Sequence, residues 1–337
     1  MFEFVLRRVL YIIPVILVVS AVTFFLMYRA PGGPWSNEKP LPASTVAALN
    51  EKFGLDKPLW FNPAGAGQAI ETGERNPLAI TGSFLDSQFF NYMAGVARLD
   101  FGPSYASKGA DSVQSVIVEK FPVSLRIGLV GIVFAVLVGV PLGILSALKQ
   151  NTWLDYVALF TSTLGVSVPT FVSGLLLLIF FTRTLSVSPI RRPEEWEGLS
   201  TAYILPGIVL GLATMSYIAR LTRASMLEIK RQDFIRTARA KGLSHQVVVS
   251  RHMFRNALIP IVTILGPATA DLVTGSIIIE TIFNAPGLGR EFVDSIGKRD
   301  YSMIMGTAIF FAFLIAFANV LVDLSYGFID PRIRARR

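Results

Sequence analysis

Apolar residues gather in long uncharged runs, and the polar positions collect between them. A helix needs roughly 20 residues to cross a hydrocarbon core of about 30 Å. Five runs meet that length: Val9 to Tyr28, Ile127 to Leu148, Tyr156 to Thr182, Leu199 to Ala219, and Tyr301 to Val322. A sixth, Ala257 to Ile279, is interrupted by Asp271, but its Ile, Leu and Val content still predicts a span. The pattern is therefore that of an all-α integral membrane protein with six transmembrane helices. The first run is too long for a cleaved signal peptide, lacks a small-residue cleavage site and follows Arg7 and Arg8, so it reads as a retained anchor.

Between the first two spans lie residues 31 to 120, the longest connection and too long for a simple loop. Ser44 to Phe53 has a capping-type start and an apolar face, which predicts a short helix. Asp111 to Lys120 predicts another, leading to Pro122 at the start of the second span, while Pro31-Gly32-Gly33-Pro34 and Asn62-Pro63 are turn-forming. The division is thus an N-terminal segment with the first span over 1–30, a small external subdomain over 31–120, and a core with five further spans over 121–337. The subdomain has two open uses, as a lid over the helices or as a contact for an external partner.

Composition agrees with the spans. Of the 337 residues 52% are hydrophobic and 16% charged, and the mean hydropathy is +0.55, which excludes an ordinary soluble enzyme and a disordered tail. No cysteine is present, so there is no disulfide, thiolate metal site or catalytic cysteine. The net charge of +8 raises nucleic acid as a partner until its location is considered. Arg7, Arg8, Lys149, Arg332, Arg334, Arg336 and Arg337 flank the spans on one side, and the connection over residues 220 to 256 adds a dense basic group on that same side. Lys and Arg stay on the cytoplasmic side of short connections, so both termini are expected there. The excess is a topology signal; no zinc spacing or basic and aromatic stacking platform supports nucleic-acid binding.

The cytoplasmic connection, with its loop over 228–256, carries the most specific pattern. Phe234 to Lys241 favours helix, Gly242 supplies a stop, Ser244 starts a second short element, and Asn256 is placed to cap the fifth span before Pro260. A short amphipathic helix joined to a membrane helix can act on it as a lever.

Here the chain resembles the inner-membrane permease subunits of ABC importers, in the dipeptide and oligopeptide permease family. The stretch similar to that family's coupling loop reads Arg236, Thr237, Ala238, Arg239, Ala240, Lys241, Gly242, with Gly242 in the place of the loop's glycine. The usual leading Glu-Ala-Ala is altered: Arg236 and Thr237 take the first two places and Ala238 keeps the third. RNALIP at Arg255 to Pro260, APGGP at Ala30 to Pro34, DFG at Asp100 to Gly102, ETIFNAPGLGR at Glu280 to Arg290, RDY at Arg299 to Tyr301 and DPRIR at Asp330 to Arg334 follow the same family in the same order. The resemblance spans essentially the whole chain. It implies the type I permease fold of ABC importers and multi-pass placement in a bacterial inner membrane. The partners it implies are a second homologous permease, two ATPase subunits or a heterodimeric ATPase pair, an external substrate-binding protein, a peptide substrate and membrane lipid. It also implies that the loop docks on an ATPase.

No glycine-rich phosphate loop followed by Lys and Ser or Thr occurs, so the chain has no sequence case for binding ATP phosphates itself; the resemblance implies ATP and magnesium on the partner ATPases and no cofactor on this chain. No enzymatic chemistry is assigned to it: there is no HExxH, and His245 and His252 do not make a metal site. Asp271, Thr274 and Asn319 are the residues expected along a translocation pathway: an acidic or amide side chain is expensive against lipid, although Asn319 near a span end also has a structural use, and the Thr274 hydroxyl has two open uses, lining a wet passage or bonding a helix carbonyl. Asp271 also has a structural use, in helix packing or a turn near the outer end of its span. Glu280 and Asp323 raise the same question near span ends, where structural roles are expected. The other functions open at this stage are an ion-coupled secondary transporter working alone, a nickel or opine-like cargo for the same type of permease, and a non-transporting membrane scaffold.

Overall fold

A computed structural model describes residues 6–8, 10–36, 41–186, 188–198 and 200–329, with the backbone alone for 322–329. Val9 and Leu199, the expected starts of two spans, lie outside these residues. So do the DPRIR segment, Arg336, Arg337 and the side chain of Asp323.

The described residues are helical, with one isolated bridge between Pro103 and Ser112. Among them five helices are long and apolar enough to cross a membrane, and six crossings result if one bent pair forms a single span. In chain order the helices are α1 (Ile12–Arg29), α2 (Ala43–Phe53), α3 (Pro63–Glu71), α4 (Pro77–Leu85), α5 (Gln88–Val96), α6 (Val113–Leu148), α7 (Trp153–Ser167) and α8 (Thr170–Thr184). There follow α9 (Ile204–Lys230), α10 (Asp233–Ala240), α11 (Arg255–Val273), α12 (Ile277–Ile282), α13 (Leu288–Lys298) and α14 (Tyr301–Ile329).

Several boundaries differ from the hydropathy reading. The expected short helix before Pro122 and the second span are one helix, α6, whose 36 residues extend about 54 Å at 1.5 Å each, with Pro122 and Pro141 inside it. The expected straight span from Tyr156 to Thr182 is instead α7 and α8, bent by 107°. Val168 before Pro169 is extended, with ψ 121°, as the residue preceding a proline prefers, and Pro169 then opens α8 at φ −53°. The fourth span does not stop at Ala219 but continues as α9 to Lys230. Asn256 caps nothing: a turn at His245–Val247 and a π-helical turn at Val248–Phe254 run without a break into α11, and the Asn256 amide donates to the His252 carbonyl at 2.6 Å. The fifth span ends at Val273 and not at Ile279, because Gly275 turns the chain at φ +87° into the separate helix α12.

Backbone contacts divide the chain into two compact units. The first comprises residues 1–13, 120–291 and 313–337. Within it α9 packs on α7, α8 and α11, and α12 packs on α8. Glycines set the approach of α6 to α9: a Cβ at Gly139 would lie 2.6 Å from the Met215 carbonyl oxygen. Small residues at such positions let backbones meet where lipid offers no hydrophobic drive between helices. Buried Ala135, Val140, Met215, Ile218 and Ile261 fill the middle of this unit. Many other span residues, among them Leu137, Phe160, Leu176 and Ile179, keep apolar surface outward.

The second unit comprises residues 14–119 and 292–312. It is built on rings: Phe24 meets Trp60 and Phe89 edge-on, and Tyr28 meets Tyr301. Phe24, Met27, Phe89, Tyr301, Met305 and Ile309 form its core. The helix expected at Ser44 starts one residue earlier, at Ala43, with no side-chain cap. Asn62-Pro63, expected as a turn, begins a helix: the Asn62 side chain accepts from Gly65 N and proline takes the first helical position. Asn76-Pro77 repeats the device for α4.

Candidate functional site

Helix α10 carries the expected coupling residues. Ile235 and Ala238 point inward, packed with Ala147, Met226, Val248, Met253 and Ala257. These come from the end of α6, the last turns of α9, the π turn and the start of α11, so the short helix is seated on the ends of three long ones. Phe234, Arg236, Thr237, Arg239, Ala240, Lys241 and Gly242 are exposed. Leu243 and Val247 follow on the outside and leave apolar surface beside the basic residues. The Arg236 and Asp233 pair, 3.5 Å apart and open to solvent, contributes little and leaves the guanidinium available.

The helix ends in a defined way. Gly242 is left-handed, at φ +76°; its N–H donates to the Arg239 carbonyl and Leu243 N–H donates back to Ala238. This is the Schellman arrangement, which satisfies the last helical carbonyls and is natural to glycine. Nothing lies within 4 Å of a Cβ built at Gly242, so the backbone angle, not space, restricts the position.

The expected pathway residues are more scattered. Asp271 is exposed on α11, and its carboxylate has no hydrogen bond or ion pair among the described residues. Thr274 is half-buried, its hydroxyl donating to the Asp271 carbonyl at 2.8 Å, which closes the end of α11. Asn319 is exposed on α14, and no hydrogen bond among the described residues joins it to the other two.

The strongest polar constellations centre on Asp155, which the sequence did not single out, on Glu280, for which a structural role was expected, and on Asp300 of the RDY motif. Asp155, 1% exposed, accepts both Nε and Nη2 of Arg223 at 2.8 Å, the Asn151 N–H at 2.9 Å and the Ser146 hydroxyl. It ties the turn between α6 and α7 to α9. Glu280 accepts from Ser124 Oγ at 2.7 Å and Arg290 N at 2.8 Å, while Ser124 Oγ also accepts from Leu288 N at 2.8 Å. Burial pushes the Glu280 carboxyl upward, against the pull of these donors. In the second unit Asp300 accepts from the Ser104 hydroxyl and from the N–H groups of Tyr105, Ala106 and Met303.

A bundle of membrane-length helices, two broken at glycine or proline, with a rigid basic helix clamped across three of their ends and no metal-binding cluster among the described residues, is the architecture of a membrane permease subunit. Two family models match: the binding-protein-dependent transport system inner membrane component over residues 139–335, and the N-terminal part of the same membrane component over residues 1–128. The chain belongs to this family.

It is 37% identical to the dipeptide transport system permease protein DppB of Bacillus subtilis, over 100% of this chain and 99% of that protein. The oligopeptide transport system permease protein OppB of Escherichia coli is also 37% identical, over 99% of this chain and all of its own length. A chain of the inward-facing MetNI methionine ABC transporter shares the fold, with TM-score 0.53 and 21% identity over 64% of this chain and 97% of that one. The fold is therefore that of ABC importer type I permeases, and the chain is a membrane-embedded transport subunit, not an enzyme.

Proposed function

We propose that this chain forms half of the passage of an ATP-driven peptide importer, paired with a second homologous permease. Two ATPase subunits, or a heterodimeric pair, hold the ATP and magnesium and bind the α10 surface from the cytoplasm. An external binding protein delivers the peptide. Both termini lie in the cytoplasm of a bacterial cell and the spans cross its inner membrane. The full-length likeness to permeases of dipeptide and oligopeptide systems supports the cargo, and the seating of α10 supports the coupling. When the ATPases close, α10 moves as a rigid body because Ile235 and Ala238 anchor it. The ends of α6, α9 and α11 move with it, and the two permeases change which side their shared passage faces. The ligand-bound state shifts only by its differential affinity for the two forms. Asp271, Thr274 and Asn319 belong to the wall of that passage on this reading, Asp271 because an unpaired carboxylate among apolar residues needs water or a polar substrate.

The observation that carries the proposal is the exposed basic face of α10, stopped by Gly242 and clamped from below. Gly242→Val tests it, since a β-branched residue is a poor fit to φ +76° and costs roughly 1–2 kcal/mol there. In mild detergent, the native chain is expected to retain a second permease and two ATPases. The variant is expected to lose the ATPases and at least tenfold of nucleotide-dependent peptide uptake while keeping the second permease. Full ATPase recovery and uptake with the variant would overturn the coupling assignment. Uptake by this chain alone, driven by an ion gradient, would establish a secondary transporter instead, and saturable uptake of nickel or an opine without peptide would reassign the cargo.

A further inference from the structure

The outer end of α1 sets a depth within the second unit. This helix belongs to a membrane-length span and ends at Arg29. Phe24 stands five residues earlier, about 7 Å inside that end at roughly 1.5 Å per residue. Trp60 and Phe89 pack on the Phe24 ring, with centres 4.9 and 5.3 Å away, so the chain around them is held near the boundary of lipid tails and headgroups, where aromatic side chains collect. Val18, Val22, Phe25 and Leu26 of α1 keep apolar surface outward, and Leu59 and Phe61, on either side of Trp60, are exposed as well.

The hairpin of α3 and α4 is rooted in this same stretch. Asn62, which caps α3, donates its N–H to the Phe84 carbonyl near the end of α4 at 2.7 Å, and Phe61 stacks on Phe84 with ring centres 5.1 Å apart. The two helices pack chiefly on each other, and neither has a buried residue. Their faces are unlike. An open groove between the arms is lined by Gly65, Gln68, Ala69 and Thr72 on one side and by Ala79, Gly82, Ser83 and Asp86 on the other. At about 100° per residue, Ile70 and Phe84 lie about 150° round from these positions, on the opposite face. Both are exposed, and Leu78 on the flank of α4 is 82% exposed. Between Pro58 and Leu85 the charged residues are Glu71, Glu74 and Arg75, all at the turn joining the arms.

We propose that the α3–α4 hairpin lies against the external surface of the membrane, with Phe61, Ile70 and Phe84 in the outer leaflet and the polar groove toward water. Lipid is the occupant because the apolar face continues, through Leu59 and Phe61, from the outward side of α1 and begins at the depth of Phe24. An amphipathic helix at this boundary buries its apolar side about 5–10 Å into the headgroup and acyl region. Residues 56–86 carry four acidic and two basic side chains, so apolar burial holds the hairpin and attraction to anionic headgroups does not. The external subdomain is then an anchored platform and not a free lid. The inference rests on α1 crossing the membrane and is independent of cargo and ATPases.

The chain has no cysteine, so introduced cysteines can carry a nitroxide label one at a time. Ile70→Cys and Leu78→Cys report the apolar face and flank, and Gln68→Cys reports the groove; all three positions are exposed and accept a label without repacking. With the full chain in zwitterionic lipid nanodiscs, power saturation compares collisions with oxygen, which concentrates in lipid, and with a water-soluble nickel chelate. Labels at positions 70 and 78 are expected to favour oxygen about threefold or more, and the label at 68 to favour the chelate. Adding Ile70→Asp should bring the label at 78 into water and cut its oxygen preference about threefold. Making about a third of the lipid anionic should change none of these values. Chelate access at 70 and 78 equal to that at 68 would overturn the lipid contact and leave a free lid. Shielding of position 70 from both reagents would overturn it too, since a protein partner or a second copy would then cover the face. A stronger oxygen preference in anionic lipid would overturn apolar burial as the cause.

Discussion

Asp155→Ala is expected to destabilise the first unit by about 3 kcal/mol, more than any exposed substitution on α10. The carboxylate is buried and bidentate to Arg223, whose own side chain is 22% exposed. Removing one partner of a buried pair leaves the other charge uncompensated, a loss of roughly 3–5 kcal/mol, with the lower end applying where water reaches the guanidinium. Two further donors lose their acceptor. One is the Asn151 N–H, held in a turn where Asn151 is left-handed at φ +63°. The other is the Ser146 hydroxyl.

Arg223→Ala should cost nearly as much as Asp155→Ala, and the double variant should cost clearly less than the sum of the two. The midpoint of unfolding in mixed detergent micelles measures all three. Additive losses would mean that the pair is not coupled and that the seat of α7 on α9 rests on packing alone. Arg223→Lys keeps the charge but gives up the planar fork that matches a carboxylate, so it should lose part of the stability and separate the two contributions.

The pair also bears on motion. Arg223 sits on α9 two turns before Lys230, where the helix ends and α10 follows almost at once. On the coupling proposed for α10, force applied to it would pass along α9 to Asp155 at the start of the bent pair. Arg223→Lys should therefore reduce peptide uptake more than it reduces binding of the ATPases. Equal losses of both would place the pair outside the transmission route.

What hydropathy could and could not see follows from its physics. It locates chain that prefers hydrocarbon, and the central parts of five of the six expected spans are helical in the structure, the exception being Tyr156 to Thr182, which breaks at Val168 and Pro169. It has no term for where a helix ends, so α9 running on to Lys230 and the fusion of the expected Asp111 to Lys120 helix with the second span into α6 were invisible: the extensions are polar but still helical. Pro169 lies in the middle of an expected span, and the 107° turn there depends on what surrounds it. A Cβ at Gly165 would lie 3.0 Å from the Leu212 carbonyl oxygen, and one at Gly174 would lie 3.4 Å from Ile279, contacts with distant chain.

The buried carboxylates teach the same point from the opposite side. Asp271 drew attention because it interrupts an apolar run, and it is exposed. Asp155, Glu280 and Asp300 stand near helix ends, where a local reading expects solvent, and they are buried because their partners arrive from 68, 156 and 196 residues away. The family motifs were a better guide than polarity. RDY and the segment after DFG meet through Asp300, Ser104 and Tyr105, and the Arg299 guanidinium occupies the space where a side chain on Gly32 of APGGP would begin. The longest motif, at Glu280 to Arg290, closes on its own first residue. These short patterns are joints of the tertiary structure more than surfaces for chemistry.

Glu280→Ala should show that directly, with an expected loss of about 3 kcal/mol. The carboxylate is 1% exposed, and a Cβ at Gly289 would lie 3.2 Å from its Oε2, so truncation leaves a void beside glycines that cannot fill it. Ser124 Oγ and Arg290 N lose their acceptor at once, at about 1–3 kcal/mol for each buried group left unpaired. Glu280→Gln keeps the volume and one acceptor oxygen, so it should cost less than half as much.

The glutamine variant also isolates the effect of charge. Burial raises the folded carboxyl above its unfolded value, so the fold prefers the neutral acid. That preference stabilises the protein fully below the unfolded value and is lost as pH rises through the folded one. Native stability should therefore fall relative to Glu280→Gln on raising the pH from the ordinary glutamate range toward neutrality. A relative rise over the same range would mean that the donors around Glu280 outweigh its burial, and that the joint is held by a carboxylate anion.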